Sequence, residues 1–241
     1  MRTFWMLALT AVFAIPAFGN EATIRKVLES KLGGAKIEGV ERGPLGLWEV
    51  RFRGEDGVHI LYTDAAATHI IVGKIYETKA DKDVTEARLR KLNAINFSSL
   101  PLSQAVKVQR GNGKRTLVIF SDPHCPACKQ FEKVLATVDD ITIHYFMYPV
   151  IRPELADQSR AVWCAPDRSK AWLDLALRGK PIPGAPKCES APIDKVVELG
   201  SKLGIRSTPT MFLATGERLR GGTSAAELKA MLDEAASQKK K

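Results

Sequence analysis

FSDPHCPACKQFEK, residues 120–133, sets Cys125 and Cys128 two residues apart, straight after the apolar run RTLVIF and at the mouth of a helical pattern. Such a pair can be a haem attachment point, half of a zinc site, an inert disulfide or a redox-active dithiol. Haem attachment needs a histidine directly after the second cysteine, and Lys129 stands there. Zinc needs four ligands at compatible spacing, and Cys164 and Cys188, 24 positions apart, do not form a second CxxC. No metal site is therefore expected. An inert disulfide across two residues leaves the placement at a helix start unexplained.

A redox dithiol explains that placement. The unpaired N–H groups and the positive end of the helix dipole favour a thiolate at a helix N-terminus. Cys125 falls at or just before the first turn, with Pro126 at the first helical position, where a missing N–H is harmless. Cys128 lies one turn in, so its sulfur is expected to be more buried and less acidic. The roles follow: Cys125 attacks a disulfide as the thiolate, and Cys128 resolves the mixed disulfide when the substrate does not release itself. His124 either adds positive charge beside Cys125, if protonated, or is an exposed loop histidine.

The chain around this segment sets the redox context. Arg2, the apolar run FWMLALTAVFA (residues 4–14) and the small-x-small Ala17-Phe18-Gly19 read as an export leader over residues 1–19. That apolar run is too short to span a bilayer, which takes about 20 residues. Cysteines of an exported protein are free to pair. Losing Arg2 leaves 35 basic residues against 27 acidic, a charge of +8 scattered along the chain apart from the tail Lys239-Lys240-Lys241. No basic run is interleaved with aromatics, so nucleic acid is not an expected partner.

The mature length allows two domains. Residues 20–78 carry an amphipathic start (Ile24, Val27, Leu28, Leu32) and the alternating segments KIEGVE, LWEVRFR, GVHILYT and HIIVGKIYET, separated at Gly43-Pro44 and Gly54–Gly57. This predicts a small α+β unit with three or four antiparallel strands, without cysteine or catalytic cluster. Residues 79–104 predict a linker: a helix over 80–98, capped by Asp83 with Glu86, whose apolar stripe is Val84, Ala87, Leu89, Leu92 and Ile95. Residues 105–241 then read RTLVIF as a strand, Ala127–Val138 as a helix and ITIHYFMYPV as a strand. Helical segments follow near 154–178 and 193–203, then the strand TMFLA, a short strand and an amphipathic helix from Ser224. A strand–CxxC–helix–strand start predicts a thioredoxin-like α/β domain with a helical insertion. Thr208-Pro209-Thr210, directly before TMFLA, completes that pattern. In thioredoxin-like folds this X-Pro bond is cis and faces the CxxC, leaving the backbone before it free to pair with an extended substrate.

The residues resemble the DsbC/DsbG family of periplasmic thiol:disulfide isomerases over nearly the whole mature chain. The likeness rests on GVHILYTDAAATHIIVGKIYET, on FSDPHCPAC with Asp122 ahead of the first cysteine, on AVWCAPDRSKAW and on RSTPT. It implies a homodimer built on a cystatin-like N-terminal domain, a linker helix and a catalytic thioredoxin domain. Cys125 and Cys128 would then be catalytic, Thr208 and Pro209 would bind substrate, and Cys164 and Cys188 would form a second, structural disulfide. Such a disulfide closes a 25-residue loop, worth roughly 3–4 kcal/mol in the chain-entropy picture. The resemblance further implies misfolded, disulfide-containing exported proteins as clients, a membrane thiol reductase of the DsbD type as electron donor, and no cofactor. Alternatives are a DsbG-like reductase of oxidised single cysteines and a chaperone with secondary thiol activity. The dipeptide Pro126-Ala127 departs from the Gly-Tyr of DsbC and the Pro-Tyr of DsbG, which bears on the reduction potential.

Overall fold

The computed structural model describes residues 18–183, 188, 192–220 and 223–238; the leader up to Ala17 and the lysine tail lie outside them. The chain divides into two compact units, one of residues up to Gly54 with His59–Ile75, the other of Tyr76–Lys241 with the short segment Glu55–Val58.

In the first unit α1 (Phe18–Glu29) precedes a four-stranded sheet of β1 (Lys36–Arg42), β2 (Trp48–Gly54), β3 (Gly57–Thr63) and β4 (Ile70–Ile71), in that order. Ile24 and Leu28, four apart on α1, close one face against Ile37, Val40, Trp48, Val50 and Leu61. The expected strand HIIVGKIYET breaks. Only Ile70 and Ile71 pair, with Thr63 and Tyr62, and Tyr76–Glu77 (β5) pairs instead with Lys82–Asp83 (β6). Val72 is 80% exposed in the gap. The pairing stops at Tyr62–Ile71 although β3 continues back to Gly57.

The predicted helix over 80–98 is shorter: α2 runs Val84–Leu92. Asp83 caps it as expected, its carboxylate accepting the Glu86 N–H at 2.8 Å. Ile95, assigned to the helical stripe, lies past its end, where its N–H donates to the Gly216 carbonyl at 3.0 Å. Arg90 pairs with Glu217 at 3.5 Å, which ties α2 to the rest of the second unit, of which it is part.

That unit is built on a five-stranded sheet. The strands are β7 (Val106–Arg110), β8 (Arg115–Ser121), β9 (Ile141–Met147), β10 (Thr210–Leu213) and β11 (Arg218–Arg220), in the order β11-β10-β8-β9-β7. Only β8 and β9 are parallel, joined through α3 (Pro126–Leu135); β7, β10 and β11 pair antiparallel. The sequence reading missed β7, although VKVQR alternates buried Val106 and Val108 with outward polar residues. Period-2 alternation serves two cores at once. Leu117, Ile119, Ile143, Tyr145, Met147 and Met211 face one, which α3 covers through Phe131 and Leu135 and α7 (Ala225–Gln238) through Leu228 and Leu232. Val118, Phe120, Phe146 and Phe212 face the other, covered by Val196 of α6 (Ile193–Lys202). The helical insertion is two helices, α4 (Ala156–Cys164) and α5 (Arg168–Ala176), because Pro166 interrupts the run and Asp167 caps anew by accepting the Lys170 N–H.

One buried acid stands inside the first of these cores. Glu132 of α3 accepts the Tyr145 hydroxyl at 2.9 Å. Burial raises its pKa from 4.5 to about 7, against the Tyr145 hydrogen bond and the Arg110 charge. The unfolded chain loses this proton near the ordinary value, while the folded protein holds it longer. Stability therefore falls as pH rises from about 4.5 to about 7, by on the order of 3 kcal/mol, and is level above. Glu132→Gln keeps an acceptor for Tyr145 and removes the titration. Urea midpoints across this window should show a flatter pH profile for the variant, which becomes the more stable protein above pH 7; parallel profiles would refute the assignment.

Candidate active site

The two parallel strands β8 and β9 end at the paired residues Ser121 and Met147, and the chain diverges there. Asp122 to Cys125 form a turn, closed by the Cys125 N–H donating to the Asp122 carbonyl at 3.1 Å. Cys125 is the N-cap of α3, with extended backbone (φ −79°, ψ 122°) and Pro126 at the first helical position. Its carbonyl accepts the Lys129 N–H at 3.1 Å. Both cysteines are free thiols.

The second half of the site comes from the loop before β10. Thr208-Pro209 is cis, and the Cys125 thiol donates to the Thr208 carbonyl at 3.4 Å. Positions 83 apart in sequence thus meet at one sulfur. The expected contrast in burial is small: Cys125 is 5% exposed and Cys128 3%. What singles out Cys128 is electrostatic. Burial pushes its thiol up to about 12, although the Ser121 hydroxyl, the Asp122 backbone N–H and the Thr208 hydroxyl favour the thiolate; the charge of Cys125 opposes it. The Thr208 hydroxyl has no other partner.

His124 fits neither sequence alternative. The ring is half-buried rather than exposed, its Nε2 has no partner, and burial lowers its pKa, helped by Lys129 and Arg152 and opposed by Asp122. Its surroundings therefore favour the uncharged ring. Sequence reasoning missed the reach of Asp122, which is fully buried and binds both the His124 N–H and the Ile151 N–H at 2.8 Å. An aspartate two residues ahead of a free N–H is the only sequence signal for this turn.

Cys164, at the end of α4, is joined to Cys188 by a disulfide with Cα atoms 5.6 Å apart, separate from the dithiol. Among the described residues no cluster of His, Cys, Asp or Glu is placed to hold a metal ion. A groove of about 400 Å³ is lined by Pro149, Val150, Pro153, Ala156, Ile193 and Val197, with Arg160 and Asp194 paired to each other at 2.9 Å.

A reduced CxxC capping a helix, opposite a cis X-Pro on a sheet of this topology, defines a thiol:disulfide oxidoreductase of the thioredoxin fold. Comparison with known proteins agrees in both units. Residues 102–236 match the thioredoxin-like domain, and residues 16–86 the disulfide bond isomerase protein N-terminal domain. A probable thiol:disulfide interchange protein DsbC of Bordetella pertussis is 36% identical over 209 residues, covering 87% of this chain and 73% of that protein. The thiol:disulfide interchange protein DsbC of Escherichia coli K12 is 25% identical over 240 residues, covering 97% and 96%. The crystal structure of a disulfide interchange protein from Neisseria gonorrhoeae superposes with a TM-score of 0.51 at 34% identity, covering 58% of this chain and 97% of that one. The chain belongs to the DsbC family of thiol:disulfide interchange proteins.

The raised pKa of Cys128 has a direct readout. In full-length Cys125→Ser, iodoacetamide should leave Cys128 nearly unlabelled at about pH 8, with labelling rising only above about pH 11, because the thiolate is the reacting form. Rapid labelling near neutrality would contradict the burial argument.

Proposed function

We propose that the protein is a periplasmic disulfide isomerase and reductase that reshuffles incorrect disulfides in exported proteins. The observation that carries this reading is the Cys125 thiol at the α3 N-cap, held against the carbonyl that precedes a cis proline. As thiolate, Cys125 attacks one sulfur of a client disulfide. A Cys125–client bond forms, and the second client sulfur leaves as a thiolate. If a client thiolate then attacks the mixed disulfide, the client leaves rearranged and Cys125 returns unchanged. If Cys128 attacks the Cys125 sulfur instead, the client leaves reduced and a Cys125–Cys128 disulfide remains. A membrane thiol reductase of the DsbD type would return that disulfide to the dithiol. With its pKa near 12, Cys128 is rarely a thiolate, so it gives the client time to rearrange.

Thr208 and Pro209 are the proposed client-binding residues: once Cys125 is in a mixed disulfide its S–H no longer occupies the Thr208 carbonyl, which can accept a client N–H. The groove lined by Val150, Ile193 and Val197 is apolar, which favours unfolded clients over the folded, singly oxidised clients of a DsbG-like reductase. The reading places the protein in the periplasm, with a leader cleaved near Gly19, as a homodimer through its N-terminal unit. Support for the dimer is the exposed apolar edge at Ile70, Ile71 and Val72, where the outer side of edge strand β4 offers ladder bonds to a second copy. Cys164–Cys188 serves as the permanent structural disulfide.

Two experiments test this. Full-length Cys128→Ser should accumulate mixed disulfides with a scrambled ribonuclease and keep part of the isomerase activity, whereas Cys125→Ser should lose both; trapping through Cys128 would reverse the roles. Ile71→Lys should convert a dimer into a monomer in sedimentation equilibrium and lower isomerisation by about tenfold while small-disulfide reduction persists. A wild-type protein that is monomeric at micromolar concentration removes the dimer from the proposal.

A further inference from the structure

We propose that Asp122 is the positioning residue of the dithiol, fastening the CxxC turn to the segment after β9 so that Cys125 stays in register with Thr208. All four polar groups of Asp122 are directed at this junction. Its N–H acts on the Cys128 sulfur, its carbonyl accepts the Cys125 N–H at 3.1 Å, and its carboxylate accepts the His124 and Ile151 N–H groups at 2.8 Å each. The residue is completely buried.

The location gives this side chain its work. The ladder between β8 and β9 stops at Ser121–Met147, followed by one backbone bond from the Tyr148 N–H to the Ser121 carbonyl at 2.9 Å. Past that point the two segments separate, one into α3 and the other toward the 3-10 turn at Pro153–Leu155. Pro123 has no N–H with which to continue a ladder, and a residue before proline is biased toward extended backbone. The carboxylate bridges the segments where backbone pairing ends, one oxygen to each.

Two donors on opposite oxygens require two acceptors. A carboxylate supplies both, whereas a carboxamide supplies one and turns an N–H₂ toward a second N–H. Asp122→Asn is therefore nearly isosteric yet breaks the bridge. A slack turn lets the Cys125 sulfur drift from the Thr208 carbonyl, and small displacements of reacting groups carry large kinetic penalties. An extended client, held by Thr208 as well as by sulfur chemistry, should feel that slack. A small disulfide that meets only the sulfur should not.

The proposal rests on the thiol-exchange reading, and the test separates the two. Reduced full-length wild type and Asp122→Asn are mixed with an extended peptide whose cysteine carries a nitrothiobenzoate leaving group, and separately with the symmetrical nitrothiobenzoate disulfide. Thiolate release is followed by absorbance well below the thermal midpoints of both proteins. For Asp122→Asn the peptide rate should fall by about tenfold or more, with the small-disulfide rate within roughly twofold of wild type. Equal peptide rates overturn the proposal. Peptide and small-disulfide rates that fall by the same factor also overturn it, since they indicate general damage to the fold. No release by wild type itself refutes the exchange reading instead. If the variant does not fold, amide exchange of the wild type decides: the His124 and Ile151 amides should both be protected by about a hundredfold or more, and exchange of either at the free-peptide rate overturns the bridge.

Discussion

The parallel ladder between β8 and β9 is the constraint on which the rest of the catalytic unit depends. Seven residues of each strand pair, from Arg115–Ile141 to Ser121–Met147, with apolar side chains on both faces. A parallel pair cannot be joined by a tight turn, so α3 must cross between the strands, and its N-terminus must emerge at the C-terminal end of β8. That places an unsatisfied helix end next to the point where the strands part. β10, antiparallel to β8, enters the sheet at the same end, bringing Thr208 and cis-Pro209 to the sulfur. The site is thus a product of topology: three chain segments with no sequence proximity share one end of one sheet.

Burial then sets the electrostatics along α3. Cys128 and Glu132 are one turn apart on the face turned to the core, and both are held toward their neutral forms, near 12 and near 7, with desolvation the largest cause in each. His124 is pushed the same way, toward its uncharged ring. The inner face of α3 thus resists charge, while Cys125 caps the helix end ahead of it. Cys128 is held neutral by the desolvation of its place one turn inside the helix.

Much of this was legible in the sequence because it is local or periodic. The spacing of Cys125 and Cys128, Pro126 at the helix start, the Asp83 cap and the strand after Thr208-Pro209 each announce themselves within a few residues. What escaped depends on partners far along the chain. β7 is a short alternating run whose strand character comes from pairing with β9. The break after Ile71 falls where β3 still continues, and the alternation of HIIVGKIYET does not announce it. Ile95 reads as helical by period, but its N–H is taken by Gly216, where an added Cβ would lie 2.0 Å from the Ile95 carbonyl. The carboxylate of Asp122 finds Ile151 across 29 positions, and the environment of His124 follows from that same junction.

The two units differ in what their residues are able to contribute. Both free thiols and the cis proline lie in the second unit. The first unit holds no cysteine; its conspicuous feature is an apolar sheet edge left open after two residues of pairing. Open edges are normally blunted by charge, proline or a covering loop. Here Asp64 instead accepts the backbone N–H groups of Ala66, Thr68 and His69, and the Thr63 hydroxyl donates to the His69 carbonyl, so the approach to β4 is held firmly while its outer side stays bare. The first unit therefore presents a fixed turn and an open apolar edge, and no reactive thiol.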